Sequence, residues 1–154
     1  MAYDDPALAL KVRSNLEKAI GAIDFETDAG PGNLYRSLYG GGPRQLVRFL
    51  SFKRLIGREE LVDIRKKTLA IEKRYQSLAL PQIELDPGYV TDYSVVRSSI
   101  EVDFHRIYLF HGIYAESLYF FERLSYRSWQ TTPEFFRQSE VIAVFNDLRG
   151  IYRG

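Results

Sequence analysis

An α+β fold in one domain, with a mixed or antiparallel sheet packed against about three helices, is predicted by three features of this 154-residue sequence. Apolar residues recur at helical spacing near residues 6–20 and 58–74, and helix-start signals return near Thr131. Between them, residues 82–122 read as short strands separated by turn residues, the pattern of a C-terminal antiparallel meander. The composition, 45% hydrophobic and 27% charged, fits a single core over residues 1–154. A chain of this size buries roughly 70% of its unfolded surface, so it needs neither disulfide nor metal to stay folded.

The elements follow in order. Asp5 caps a first helix that has Pro6 at its first position, Leu8, Val12, Leu16 and Ala19 or Ile20 on one stripe, and Gly21 as terminator. Ala22 to Glu26 is a short strand. Residues 27–43 form a flexible loop in which Gly30-Pro31-Gly32 and Gly40-Gly41-Gly42-Pro43 bracket a segment, Asn33 to Tyr39, long enough for two helical turns. Gln45 to Phe52 alternates with apolar residues on both faces and reads as a central strand. Arg48 within it is either paired with Asp24 or Glu26 or aimed at a ligand. The helix from Arg58 to Arg74 buries Leu61, Ile64, Thr68 and Ile71. Arg65, Lys66, Lys67, Lys73 and Arg74, interleaved with Glu59, Glu60, Asp63 and Glu72, make its other face a solvated one.

Pro87-Gly88 is placed as the centre of a type II turn that holds Asp86 at a strand end. Val90 to Ser98, Asp103 to Phe110 and Ile113 to Glu122 then form the meander, its second connection a tight hairpin at His111-Gly112. A two-residue loop sets Phe110 opposite Ile113, Leu109 opposite Tyr114, Ile107 opposite Glu116 and His105 opposite Leu118. His105 and Glu116 become diagonal neighbours on one face, with Arg106, Tyr108 and Ser117 on the other. Thr131 and Glu134 have capping-box spacing, Pro133 suits the first turn, and Phe135, Ile142, Phe145, Leu148 and Tyr152 form the buried stripe of the last helix.

Candidate chemistry collects in the second half. Asp86, His105 and Glu116 are the candidate catalytic residues, as an acid/base pair or as ligands of a hard divalent metal. The alternative is a His–Glu hydrogen bond that only braces a sheet. Arg48, Arg106, Tyr108, Tyr114, Gly41 and Arg44 are the candidate ligand-binding set. Forked guanidiniums, aromatic rings and the amides of Gly40-Gly41-Gly42 suit an anionic small molecule or nucleotide. Fifteen of the 21 basic residues are Arg, beside 11 Tyr and 10 Phe, an enrichment that a salt-bridged structural surface shows equally.

Much is excluded or disfavoured. There is no cysteine, hence no thiolate metal site, no cysteine nucleophile and no disulfide framework. A formal net charge of +1 makes no electrostatic case for a nucleic-acid or membrane surface, although Arg106, Tyr108 and Tyr119 on strands have the composition of a base-stacking face. The first twenty residues carry Asp4, Asp5, Lys11, Arg13, Glu17 and Lys18, so neither a signal peptide nor a membrane span is read and a cytoplasmic location is expected. No phosphate-binding loop, zinc-protease motif, nucleophile elbow or dinucleotide fingerprint is present. The sequence names no cofactor and no metal.

Asp86-Pro87-Gly88-Tyr89, His105-Arg106-Ile107-Tyr108-Leu109, Gly112-Ile113-Tyr114-Ala115-Glu116 and the closing Trp129 with Pro133-Glu134-Phe135-Phe136-Arg137 together resemble an uncharacterised prokaryotic family, domain of unknown function 4416. The similarity extends to Ile23-Asp24-Phe25-Glu26, Arg48-Phe49-Leu50-Ser51-Phe52, Leu55-Ile56, Lys67-Thr68 and Ile71-Glu72. It implies a single-domain, cytosolic bacterial or archaeal protein and brings no established activity. Two departures stand out. The family opens with a short apolar strand ending in Gly, where this chain runs from Met1-Ala2-Tyr3 into Asp5-Pro6, so either a strand is missing or the start is truncated. Asp28-Ala29-Gly30-Pro31-Gly32-Asn33 replaces an aromatic-rich segment. Three functions remain open: a binding module for an anionic ligand through Arg48, Arg106 and the Gly40 to Arg44 loop; a metal-assisted hydrolase or phosphoryl-transfer enzyme using Asp86, His105 and Glu116; and an assembly protein whose aromatic strands pair subunits as a homo-oligomer.

Overall fold

The computed structural model of the chain describes residues 1–40 and 42–154. The fold is α+β, and every strand pairing among the described residues is antiparallel. The chain divides into two compact units, Met1–Gly57 with Lys66–Leu85 and Arg58–Arg65 with Asp86–Gly154.

The first unit contains β1 (Ala2–Tyr3), α1 (Pro6–Ala19), β2 (Ile23–Glu26), β3 (Gly30–Pro31), β4 (Leu46–Val47) and β5 (Leu50–Phe52). It also holds most of α2 (Leu61–Arg74), then β6 (Gln76–Ser77), β7 (Leu80–Pro81) and β8 (Ile83–Glu84). One sheet has the order β3-β4-β1-β8, and β2 pairs with β5. Ala2 and Tyr3 are thus an interior strand between β4 and β8. Asp5 caps α1 by accepting from the Ala7 N–H at 2.9 Å, with Pro6 in the first turn. Val12 and Leu16 then pack with Tyr3, Ile71, Ile83 and Leu85 in one apolar core.

Three local expectations fail here, each for a reason in the hydrogen bonding. Gln45 to Phe52 is not one central strand. The ladder breaks at Arg48 and Phe49, whose N–H groups donate to Met1 O at 2.9 Å and Thr27 Oγ1 at 3.1 Å, and the two halves serve different sheets. Asn33 to Tyr39 forms no helix, because Tyr35 is buried, the Ser37 hydroxyl donates to Glu84, and the Tyr39 hydroxyl donates to Glu72 at 2.5 Å. Arg65 and Glu72 are not on a solvated face. With Leu61, Ile64, Thr68 and Ile71 they repeat three positions per seven residues, the width of stripe a core-facing helix needs, and both are buried. Glu72 is held by the Leu85 N–H at 2.6 Å.

The second unit carries β9 (Gly88–Val90), β10 (Ser94–Ser99), β11 (Ile107–Phe110), β12 (Ile113–Glu122), β13 (Ser125–Ser128), α3 (Glu134–Arg137) and α4 (Ser139–Arg153). The ten-residue β12 is central. It pairs with β10 along one side and with β11 and then β13 along the other, in the order β11-β12-β10-β9. The predicted strand Val90 to Ser98 is two strands around a turn that Thr91 ties by accepting from the Tyr93 and Ser94 N–H groups. The strand expected from Asp103 begins only at Ile107.

The Pro87-Gly88 turn is also corrected. Gly88 lies in β9 opposite Arg97 with no left-handed φ; a Cβ on it would stand 2.3 Å from Val96 O and 3.0 Å from Arg97 Cα. Glycine is required there for close strand approach rather than for a turn. The hairpin at His111-Gly112 does form, with φ of 50° and 72°, as a primed turn demands. The last helix is two helices that break at Gln138, and Thr132 rather than Thr131 anchors the approach, its hydroxyl accepting from the Trp129 N–H and donating to Leu118 O. Phe135, Phe145 and Leu148 are buried as expected, while Tyr152 is exposed. Tyr119, expected on a base-stacking surface, is fully buried and donates to Phe136 O at 2.6 Å. Burial pushes its hydroxyl far above the ordinary tyrosine range and that of Tyr126 up to about 12.

Candidate functional site

Strand register builds the site. In the β10–β12 pair Arg97 lies directly opposite Glu116, and its Nε donates to Glu116 Oε2 at 2.7 Å. The same guanidinium reaches Asp86, two residues before Gly88, through Nη1 to Oδ2 at 3.0 Å. On the far side of β12, a bulge at Leu109 shifts the hairpin register by one, so that Ile107 lies opposite Ala115. Arg106 is thereby carried to the Glu116 side instead of the opposite face, its Nε 3.5 Å from Glu116 Oε2. His105, in the turn before β11, closes the set with Nε2 2.8 Å from Glu116 Oε1.

The result is a chain of charge, Asp86 to Arg97 to Glu116, with Arg106 and His105 converging on the same carboxylate. Glu116 is only 1% exposed, and an isolated buried carboxylate is costly to desolvate. Two guanidiniums and two carboxylates offset that cost internally, and the Arg97 guanidinium lies 5.3 Å over the Phe136 ring. The Glu116 carboxylate, accepting at Nε2, fixes the imidazole tautomer. His105 Nδ1 is then left without a hydrogen-bond partner, 3.7 Å from Asp103 Oδ2. Arg106 donates from Nη1 to Glu101 O at 3.0 Å.

The three predicted catalytic residues therefore meet, but as one ion network, and the residue that joins them, Arg97, was not singled out from the sequence. Its signal was there: a lone arginine following Val95-Val96 within a strand of the meander calls for a carboxylate partner. Among the described residues no group of three or more His, Cys, Asp or Glu stands where it could hold a metal ion, and the Asp86 and Glu116 carboxylates both engage Arg97.

The predicted ligand-binding residues are divided between the two units. Arg44 and Arg48 belong to the first unit; Arg106, Tyr108 and Tyr114 belong to the second. Arg44 bonds Asp4 Oδ2 at 3.1 Å and Pro81 O at 2.6 Å and stands 3.4 Å from Glu84 Oε1. Arg48 stands 3.7 Å from Glu26 Oε2, the structural pairing weighed for it. Tyr108 and Tyr114 face each other across the hairpin as an edge-on ring pair, centroids 5.4 Å apart. Gly41 lies outside the described residues. A cleft of about 350 Å³ between β13 and α4 is lined by Arg127, Ser139 and Asn146 among others, and none of the predicted site residues is among them.

A different feature dominates the surface. All four residues of β11 are exposed, and β11 ends the sheet order with no strand beyond it among the described residues. Val102 and Phe104 just before it are exposed as well. The assembly reading of the aromatic strands anticipates exposed rings, but sequence alternation alone does not single out this strand, because an exposed apolar strand and a buried one have the same pattern.

Sheet and cluster together define an α+β protein in which an antiparallel sheet is braced from within by ion pairs and ends in an apolar edge. The chain belongs to the domain of unknown function family DUF4416, whose family model matches residues 1–152. No curated protein and no solved structure matches it. Among the described residues no helix is long and apolar enough to cross a membrane.

Proposed function

We propose that the protein is an assembly module whose working surface is the β11 edge and the loop before it. The observation that carries this reading is the run from residue 102 to 110, where six large apolar residues, Val102, Phe104, Ile107, Tyr108, Leu109 and Phe110, are all exposed on or just before a strand whose outer edge has no partner among the described residues. Contiguous apolar surface on an open edge is what interaction sites present and what isolated proteins avoid. In this account the Asp86–Arg97–Glu116–His105 network is the strut that fixes the hairpin carrying that edge. The anionic-ligand reading draws less support, since Arg44, Arg48 and Arg106 each stand beside a carboxylate. We place the protein in the cytoplasm of a prokaryote on the family resemblance.

The test compares wild type with a Phe104→Lys/Phe110→Lys variant for binding of an apolar fluorescent dye and for thermal unfolding. Dye binding lost with an unchanged transition supports the module. Equal dye binding in both proteins overturns it.

A second reading, an acid/base enzyme of the hydrolase or phosphoryl-transfer class, is favoured by one observation: His105 is oriented by Glu116 at 2.8 Å while Nδ1 keeps no partner. An imidazole so held is positioned to take a proton. Thermal shift against divalent metals and nucleotides discriminates, because a native-state ligand at a hundredfold excess over Kd stabilises by about 2.7 kcal/mol. A shift that disappears in His105→Ala supports the enzyme; no shift with any of them removes it.

A further inference from the structure

We infer that the occupant of the β11 edge is a second copy of this chain, added antiparallel about a two-fold axis; this rests on the assembly reading above. Area is the first argument. Phe104, Tyr108 and Phe110 are 89%, 57% and 60% exposed, and Val102, Ile107 and Leu109 are 75%, 69% and 36% exposed. With aromatic side chains burying about 150–250 Å² each, the run offers on the order of 600 Å² of apolar surface. A standard interface takes about 800 Å² from each partner; the run, its strand side chains divided between the two faces of the sheet, supplies part of that and its flanking backbone must supply the rest.

Charge is the second argument. Ile107-Tyr108-Leu109-Phe110 contains no charged residue, so the strand meets its own copy without like-charge contact and lacks the edge lysine or proline that guards natural sheets. Exposed acids, Glu101 and Asp103, stand at one end of the run, and His111, exposed in the hairpin turn, stands at the other. A two-fold axis through Ile107, which pairs the residue with its own copy as an antiparallel ladder of identical edges requires, brings Asp103 of one copy opposite His111 of the other, at both ends at once. Parallel addition would set Asp103 against Asp103 instead. Self-complementarity of this kind is what an isologous interface requires, and a net charge of +1 puts no long-range repulsion between copies.

Sedimentation velocity of the full chain over a concentration series tests the assignment. Wild type is expected as a concentration-dependent dimer, and Ile107→Lys/Phe110→Lys as a monomer with the wild-type unfolding transition. Asp103→Lys is expected to weaken the dimer by roughly tenfold, as for close interfacial charges, and adding His111→Glu to restore it. A dimer that survives Ile107→Lys/Phe110→Lys overturns the surface, and an indifferent charge swap overturns the antiparallel two-fold. A wild-type monomer at every concentration overturns the second copy. Its β11 amides then separate the two ideas: fast hydrogen exchange leaves an open edge for another partner, whereas protection equal to that of β12 removes the assembly reading as well.

Discussion

Replacing Arg97 by Met tests the strut most sharply. Methionine retains much of the volume and can lie against the Phe136 ring, so the change is mainly one of charge and hydrogen bonding. Glu116, 1% exposed, then loses its 2.7 Å partner, keeping His105 at Oε1 and Arg106 at 3.5 Å; Asp86 loses its 3.0 Å partner in the same step. Breaking a buried pair by removing one member costs about 3–5 kcal/mol, a large part of the roughly 5–15 kcal/mol that keeps a domain folded. With a urea dependence near 2 kcal/mol per molar, the unfolding midpoint falls by about 2 M. Urea denaturation followed by far-ultraviolet circular dichroism reads this directly. Arg97→Met/Glu116→Gln should lose less than the two single variants combined, with a coupling of about 0.5–3 kcal/mol. A single-variant loss below about 1 kcal/mol, the level of an exposed ion pair, refutes the argument, because Glu116 would then have found water or another partner.

Other consequences follow from the same geometry. Gly88→Ala sets a Cβ 2.3 Å from Val96 O, and since the obstructing atoms are backbone, β9 must part from β10; a loss of about 1–3 kcal/mol, as for overpacking, is expected in thermal unfolding. An alkaline titration followed by tyrosinate absorbance should show Tyr126 ionising at about 12 and Tyr119 later still, with the Tyr126 step absent in Tyr126→Phe. Because the folded values lie above the unfolded value of about 10, burial of these hydroxyls stabilises fully below pH 10. That contribution declines as pH rises from there through about 12. A Tyr126 that ionises near 10 in the native protein would contradict its burial.

What the sequence made legible was whatever local chemistry alone decides. Asp5 and Pro6 start α1, His111-Gly112 turns the hairpin, and the apolar stripe of α2 falls where its spacing puts it. What it hid depended on partners distant in the chain. Pro87-Gly88 has turn composition, yet the approach of Val96 and Arg97 makes Gly88 a strand residue. Arg65 and Glu72 carry surface chemistry but lie on the buried stripe, and Glu72 has Leu85 and Tyr39 as bonding partners. In the site, Asp86, His105 and Glu116 were legible as a group, while their joining through Arg97 was not. One bulged residue, Leu109, moved Arg106 from one face of the hairpin to the other. A bulge has no reliable sequence mark, and a register shift of one residue exchanges the faces of a strand.

Amide hydrogen exchange across the hairpin, measured by mass spectrometry at the lowest workable protein concentration, tests the central claim most directly. An open apolar edge carried on a braced strand predicts rapid exchange through residues 102–110 and strong protection through 113–122, with the 102–110 peptide gaining protection as concentration rises. Equal protection of both segments in the monomer, or rapid exchange around Glu116, would contradict it.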